Sequence, residues 1–203
     1  MTAPLLDQRD LEFMLYELFD AESLTSRERY ADHNRETFDA AISTSRTVAE
    51  KYFLPIRQKV DTHQPTFDGE KVQMIPEIKE ALDAVVAAGL ASPSADYELG
   101  GMQLPALVAS VSGAYLSAAA SMTMGYIGLT NANANLINAH GTEQQKQKWL
   151  EPMLTGRFAG TMAMSEPGAG SSLADLTTSA VPRAMAPTAL PATRYGYQAS
   201  TMN

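Results

Sequence analysis

Between Phe38 and Val60 one apolar face persists for about six helical turns, at Phe38, Ala41, Ile42, Ser45, Val48, Ala49, Tyr52, Phe53, Ile56 and Val60. A chain carrying such a stripe must cover it, and the economical cover is more helix. Pro55 lies inside the stripe and lacks the amide that an α-helix needs there, so it predicts a kink or a split.

Other segments supply the partners. Leu11, Met14, Leu15 and Leu18 give a short helix over Asp7 to Phe19, followed by a polar linker from Glu22 to Arg35. After a turn at Asp68-Gly69, Pro76 opens a helix with Ile78, Leu82, Val85 and Val86 inward, ended by Gly89. Beyond a loop with Pro93, Gly100 and Gly101 come two helices, about Leu104 to Tyr115 and about Ser121 to Ala139, with Gly141 as the stop. Thr142 and Gln145 form a capping box for a last helix that buries Trp149, Leu150, Met153 and Leu154 and ends at Gly156. Six helices without internal repeat predict a mainly α fold.

The pattern changes after Gly156. Phe158 to Ser165 is a run of small and apolar residues, read as a buried strand entering the loop Glu166-Pro167-Gly168-Ala169-Gly170-Ser171-Ser172. From Val181 to Asn203 there are three prolines, five alanines and no acidic residue, a composition read as neither strand nor helix.

A formal charge of -8 without a Lys/Arg run argues against nucleic acid as a partner. The absence of cysteine excludes disulfides, thiolate nucleophiles and Cys-based metal sites. The first residues lack the order of a secretion signal, and no unbroken apolar run of membrane-spanning length is read, so the expected location is cytoplasmic. His33, His63 and His140 have no metal-ligand spacing and read as surface or capping groups. The Asn131, Asn133 and Asn135 alternation reads as polar or capping positions, Trp149 as a core anchor, and Met122 and Met124 as core filling or the lining of an acyl pocket. The Gly-Ala-Gly-Ser-Ser loop offers amides and hydroxyls to a phosphate, a carbonyl or the edge of a planar cofactor, but does not match the dinucleotide fingerprint. Glu166 reads as a loop-shaping acceptor or a base without a partner.

In order, Ala88-Gly89-Leu90, Tyr97-Glu98-Leu99-Gly100-Gly101-Met102, Gly141-Thr142-Glu143-Gln144-Gln145-Lys146-Gln147-Lys148-Trp149-Leu150, Gly156, and Met162-Ala163-Met164-Ser165-Glu166-Pro167-Gly168-Ala169-Gly170-Ser171 resemble the acyl-CoA dehydrogenase family over residues 37 to 180. Ala3-Pro4-Leu5 through Leu18-Phe19 resembles the N-terminal extension of the branch that includes methylthiopropionyl-CoA dehydrogenase-like enzymes. The resemblance implies an extension helix and linker at 1–34, the family's N-terminal helical bundle at 35–157, and the first strand of its middle β-domain at 158–181. An aberrant tail fills 182–203.

The family's reaction removes the α-proton and β-hydride of an acyl-CoA thioester, giving a trans-2-enoyl product, with FAD as cofactor and an electron-transfer flavoprotein as acceptor. Homo-oligomers are implied for the full-length protein. Carried onto this chain, Met162, Met164 and Ser165 correspond to the strand end that meets the flavin, and Ser171 to the loop serine near the FAD and thioester polar groups. Ser172 stands where the family usually has an aspartate. No residue here matches the family's catalytic glutamate, so the chain is expected to be a truncated fragment, inactive by itself. Read in a shifted frame, codons compatible with Arg183 to Asn203 encode Gly-Asp-Gly-Thr-Tyr-Arg-Ile-Thr-Gly-Asn-Lys-Ile-Trp-Val-Ser-Gly, which resembles the family's next hairpin. The alternative is an all-α protein-interaction module without flavin chemistry.

Overall fold

The computed structural model describes residues 4–179, 181–183 and 186–189. The chain divides into two compact units, Met1–Gly160 and Thr161–Ala199, taken separately below. The first is a helical bundle, as the periodicity demanded.

Asp7 caps α1 (Gln8–Glu12) by accepting from the Asp10 amide, and the helix continues as a wider π turn over Phe13–Leu18. That widening rotates the face away from the 3.6-residue register. Of the expected stripe, Leu15 is buried and Leu11 half-buried, while Met14 and Leu18 are exposed. The expected linker contains two 3-10 segments, Ala21–Ser26 and Glu28–Tyr30.

The long stripe forms one helical rod. A capping box between Asn34 and Thr37 starts α2 (Arg35–Val48), and the rod runs on through a π turn at Ala49–Phe53 and a 3-10 turn at Leu54–Ile56 into α3 (Arg57–Thr62). Pro55 therefore neither ends the helix nor splits it. The turn before it widens and the turn around it tightens, absorbing the missing amide. Phe38, Ala41, Ser45, Val48, Ala49, Phe53, Ile56 and Val60 are all buried.

A hairpin of β1 (Thr66–Phe67) and β2 (Val72–Gln73) follows, its turn closed by Asp68, which accepts from the Glu70 and Lys71 amides at 2.9 and 2.7 Å. These bonds, led by that from Lys71, pull the Asp68 carboxyl down to about 2. Helix α4 (Pro76–Ala87) buries Ile78, Ala81, Leu82 and Val85, with Val86 half-buried, and ends at Gly89, where φ is +72°. Helix α5 (Ala106–His140) is two helices joined at Ala120, whose φ of -157° and ψ of 87° are not helical. The break falls in the gap that separated the two expected helices.

By length and mean hydropathy, 1.3 over its most apolar window, α5 reaches the range of a membrane span, which the sequence reading had not registered. It is interrupted at Ala120 and carries Asn131, Asn133, Asn135 and Asn138, and both halves pack residues into the bundle core. Thr142 and Gln145 make the expected capping box for α6 (Glu143–Gln145), followed by a π turn at Lys146–Leu150 and α7 (Glu151–Leu154). Leu150 and Pro152 are buried, but Trp149 is 40% exposed, so it is not the expected core anchor. It lies against Phe158, with ring centroids 5.9 Å apart. The main core joins the rod, α4 and both halves of α5, and a smaller cluster gathers Phe38, Ala41, Leu104 and Val108.

Among the described residues no strand is formed over 159–164, where one was expected from Phe158 to Ser165, and Thr161, Met162, Met164 and Ser165 are exposed. An apolar run does not by itself specify a strand. Part of the tail departs from its reading in the opposite direction. Its β3 (Val181–Arg183) pairs antiparallel with β4 (Ala186–Ala189), with a register irregularity between Val181 and Arg183, around Pro182, which has no amide to donate. The rest of the proposed frame-shifted tail lies outside the described residues.

Two substitutions test this packing by urea unfolding. Phe53→Ala empties a fully buried site and is expected to cost about 3–5 kcal/mol. A Cβ at Gly101 would sit 2.1 Å from the Ala95 carbonyl oxygen, so Gly101→Ala is expected to cost about 2 kcal/mol or more. Leu18→Ala, on an exposed face, is expected to change stability by less than about 0.5 kcal/mol.

Candidate functional site

Within the helical unit a cleft of about 560 Å³ opens between both halves of α5, the loop after α4 and the end of α7. Its lining is mixed. Leu90, Leu116 and Leu154 supply apolar surface, and Ser92, Asn135 and Asn138 supply neutral polar groups. Arg29 and Asp96 are both present but pair with each other at 2.6 Å, leaving no net charge. Ser112 also lines the cleft, and its buried hydroxyl has no hydrogen-bond partner among the described residues. Periodicity hid this residue, because a serine in an apolar register reads as core.

The asparagine alternation resolves into separate roles. Asn131 donates to the Ala91 carbonyl at 2.7 Å and accepts from the Ser92 hydroxyl at 2.8 Å, tying the loop after α4 to α5. Asn133 donates back to Leu129, and Asn135 is exposed at the cleft. Met124 lines this cleft, whereas Met122 faces a separate groove beside Pro55. His63 contacts the Lys59 carbonyl at the end of α3, His140 is exposed in the last turn of α5, and His33 reaches Met102, 69 residues away. Among the described residues no cluster of three metal-ligating side chains occurs.

In the second unit, Met162 and Met164 are 40% and 43% exposed, and Ser165 and Ser171 are also exposed. All four precede or belong to the loop organised by Glu166. The Glu166 amide donates to the Ala169 carbonyl at 2.8 Å and the Ala169 amide returns the bond at 3.1 Å, making a tight turn. Its carboxylate is buried and accepts from the amide and hydroxyl of both Thr177 and Thr178. The Thr177 amide and Thr178 hydroxyl contribute most to holding the carboxyl at about 2. A carboxylate held that way is a poor proton acceptor at neutral pH, so Glu166 is a loop-shaping group and not a base.

A flavin fits the donor set of this loop. Neutral hydroxyls and amides suit carbonyl and phosphate oxygens, and among the described residues nothing lies within 4 Å of a Cβ built on Gly168 or Gly170. The methionines add apolar surface beside them.

Residues 35–157 match the model of the acyl-CoA dehydrogenase N-terminal domain. The 3-methylmercaptopropionyl-CoA dehydrogenase of Ruegeria pomeroyi is 28% identical over 176 residues, covering 86% of this chain and 30% of that protein. The solved acyl-CoA dehydrogenase of Geobacillus kaustophilus superposes with a TM-score of 0.64 at 27% identity, over 80% of this chain and 40% of its own. The acyl-CoA dehydrogenase of Bacillus anthracis, solved in complex with FAD, gives 0.58 at 23% identity, covering 74% and 24%. The chain thus spans well under half the length of these relatives. With more than half of its residues in that matched domain, the chain belongs to the acyl-CoA dehydrogenase family.

Proposed function

We propose that this chain contributes the N-terminal helical domain and the first flavin-contacting loop of an FAD-dependent enzyme that dehydrogenates acyl-CoA thioesters between Cα and Cβ. The observation that carries the reading is the loop with exposed Ser165 and Ser171, following in sequence on a helical domain of this family. Bound FAD supplies the acceptor for the β-hydride. The main chain at Met162 and Met164 and the hydroxyl of Ser165 hold the ring edge. Ser171 binds polar groups of the cofactor and of the thioester.

Glu166 takes no proton in this scheme; it fixes the loop so that the serine donors are set before ligand arrives. No residue of this chain is assigned as the α-proton base, so the 203 residues alone are expected not to turn over. Electron-transfer flavoprotein as acceptor, homo-oligomerisation and a cytoplasmic setting complete the proposal.

Three outcomes follow. In a chimera carrying residues 35–179 in place of the matching segment of the Geobacillus enzyme, Ser165→Ala and Ser171→Ala are each expected to weaken FAD binding by roughly ten-fold, the worth of one hydrogen bond. Unchanged affinity in both would remove those residues from the site. The Glu166 side-chain carboxyl resonance of the 203-residue chain is expected to titrate near pH 2, not near the ordinary 4.5. Because its folded value is the lower one, its stabilisation is complete above about 4.5 and is lost as pH falls through about 2. Glu166→Gln is expected to raise amide exchange at Thr177 and Thr178 without moving the melting of the helical unit.

A further inference from the structure

The segment before Arg35 lies outside the matched domain, and nothing in the family match says what it does. Leu5, Leu6 and Leu11 pack against the main core, and two further anchors are polar. At the first, Leu15 is buried, and the Tyr16 hydroxyl donates to Asp39 at 2.6 Å while the Arg35 guanidinium lies over the Tyr16 ring at 4.0 Å. Burial, followed by the Asp39 hydrogen bond, raises the Tyr16 phenol above its ordinary value, so it stays a donor at physiological pH.

The second anchor holds residues 92–104, the strap between α4 and α5. Arg29 pairs with Asp96 at 2.6 Å and donates to the Ser94 carbonyl at 3.2 Å, and Gln103 donates back to the Arg29 carbonyl. His33 Nε2 donates to the Met102 carbonyl at 3.0 Å, with the Tyr97 hydroxyl 3.3 Å from the same nitrogen. The His33 ring also stacks obliquely on Phe38, centroids 5.7 Å apart, which ties the anchor to the smaller core cluster.

The strap needs holding. Its only regular structure is the 3-10 turn Tyr97–Leu99, and Gln103 sits at a φ of +51°, a region that costs a residue with a side chain. Its internal backbone bonds are six, from the amides of Ala95, Leu99, Gly100, Gly101, Gln103 and Leu104 to Ser92, Asp96, Tyr97, Asp96, Ala95 and Pro93, and all of them close turns within the strap itself. Pro93, Ser94, Ala95 and Leu99 of the strap, together with Arg29 itself, line the cleft that also holds the unpartnered hydroxyl of Ser112. The contacts at the second anchor are polar and partly exposed, hence individually weak, whereas apolar packing reaches the strap only at its end, where Leu104 is buried in the smaller core cluster and Met102 packs against it.

We propose that Arg29 and His33 form a latch through which the N-terminal segment holds residues 92–104 as one wall of the cleft, and that releasing the latch opens the cleft while the bundle stays folded. The assignment is independent of the flavin reading. Hydrogen exchange on the full 203-residue chain tests it. In Arg29→Ala/His33→Ala, the amides of Gly101, Gln103 and Leu104 are expected to exchange roughly ten-fold faster, with the amides of Val108 to Leu116 unchanged. His33→Gln alone keeps a donor toward Met102 and is expected to stay close to the parent. Tyr16→Phe, at the other anchor, is expected to leave the strap protected. Unchanged strap exchange in the double variant overturns the proposal. So does parallel acceleration in α5, or a double variant too unstable to purify, because a latch leaves the bundle intact.

Discussion

The bundle depends on a single continuous apolar face carried past a proline. From Phe38 to Val60 the buried positions keep helical spacing even though the hydrogen bonding beneath them changes from α to π to 3-10 and back to α. A π turn adds about as much to the helical repeat as a 3-10 turn removes, so the two together leave the face in phase. Had Pro55 split the rod, Ile56 and Val60 would have left the core that Ile78, Leu82 and Val85 complete from α4. Burial of that face outweighs the lost backbone bond, which is why the element survives a residue that usually ends one.

What was legible in the sequence was local. The Thr142 and Gln145 capping box, the stops at Gly89 and Gly156, and the division of α5 near residue 120 each rest on a few neighbouring residues and stand in the structure as read. What was missed depends on partners distant in the chain or on a changed helical repeat. Met14 and Leu18 keep an α-helical spacing in a stretch that folds as a π turn. Trp149 occupies an apolar position whose neighbour is the half-exposed Phe158 and not the core. The run before Ser165 has strand-like composition but forms no strand among the described residues, and β3 and β4 pair in a segment whose composition reads as neither strand nor helix.

The candidate site residues divide in the same way. Family motifs located the loop around Ser165 and Ser171, and the loop's internal chemistry explains its shape: four hydrogen bonds hold Glu166 ionised and aim it inward. A carboxylate beside a glycine-rich loop reads from sequence as either base or brace, and only its partners at Thr177 and Thr178 distinguish the two. Arg29 and Ser112 carry no sequence signal, and His33 reads from sequence only as a surface or capping group. Two of them reach residues more than sixty positions away, and the third is a hydroxyl placed where an apolar side chain would serve the pattern equally well.

The central claim is that the helical domain and the loop at its end serve flavin-dependent oxidation of a thioester. It is met most directly by adding acyl-CoA, without oxygen, to a flavin-loaded chimera in which residues 35–179 replace the corresponding part of the Geobacillus relative. The account requires the flavin absorbance to bleach and an enoyl-CoA to form in equal amount. A folded, flavin-loaded chimera, or one carrying only residues 35–157, that stays oxidised with short, medium and long acyl chains alike would contradict it.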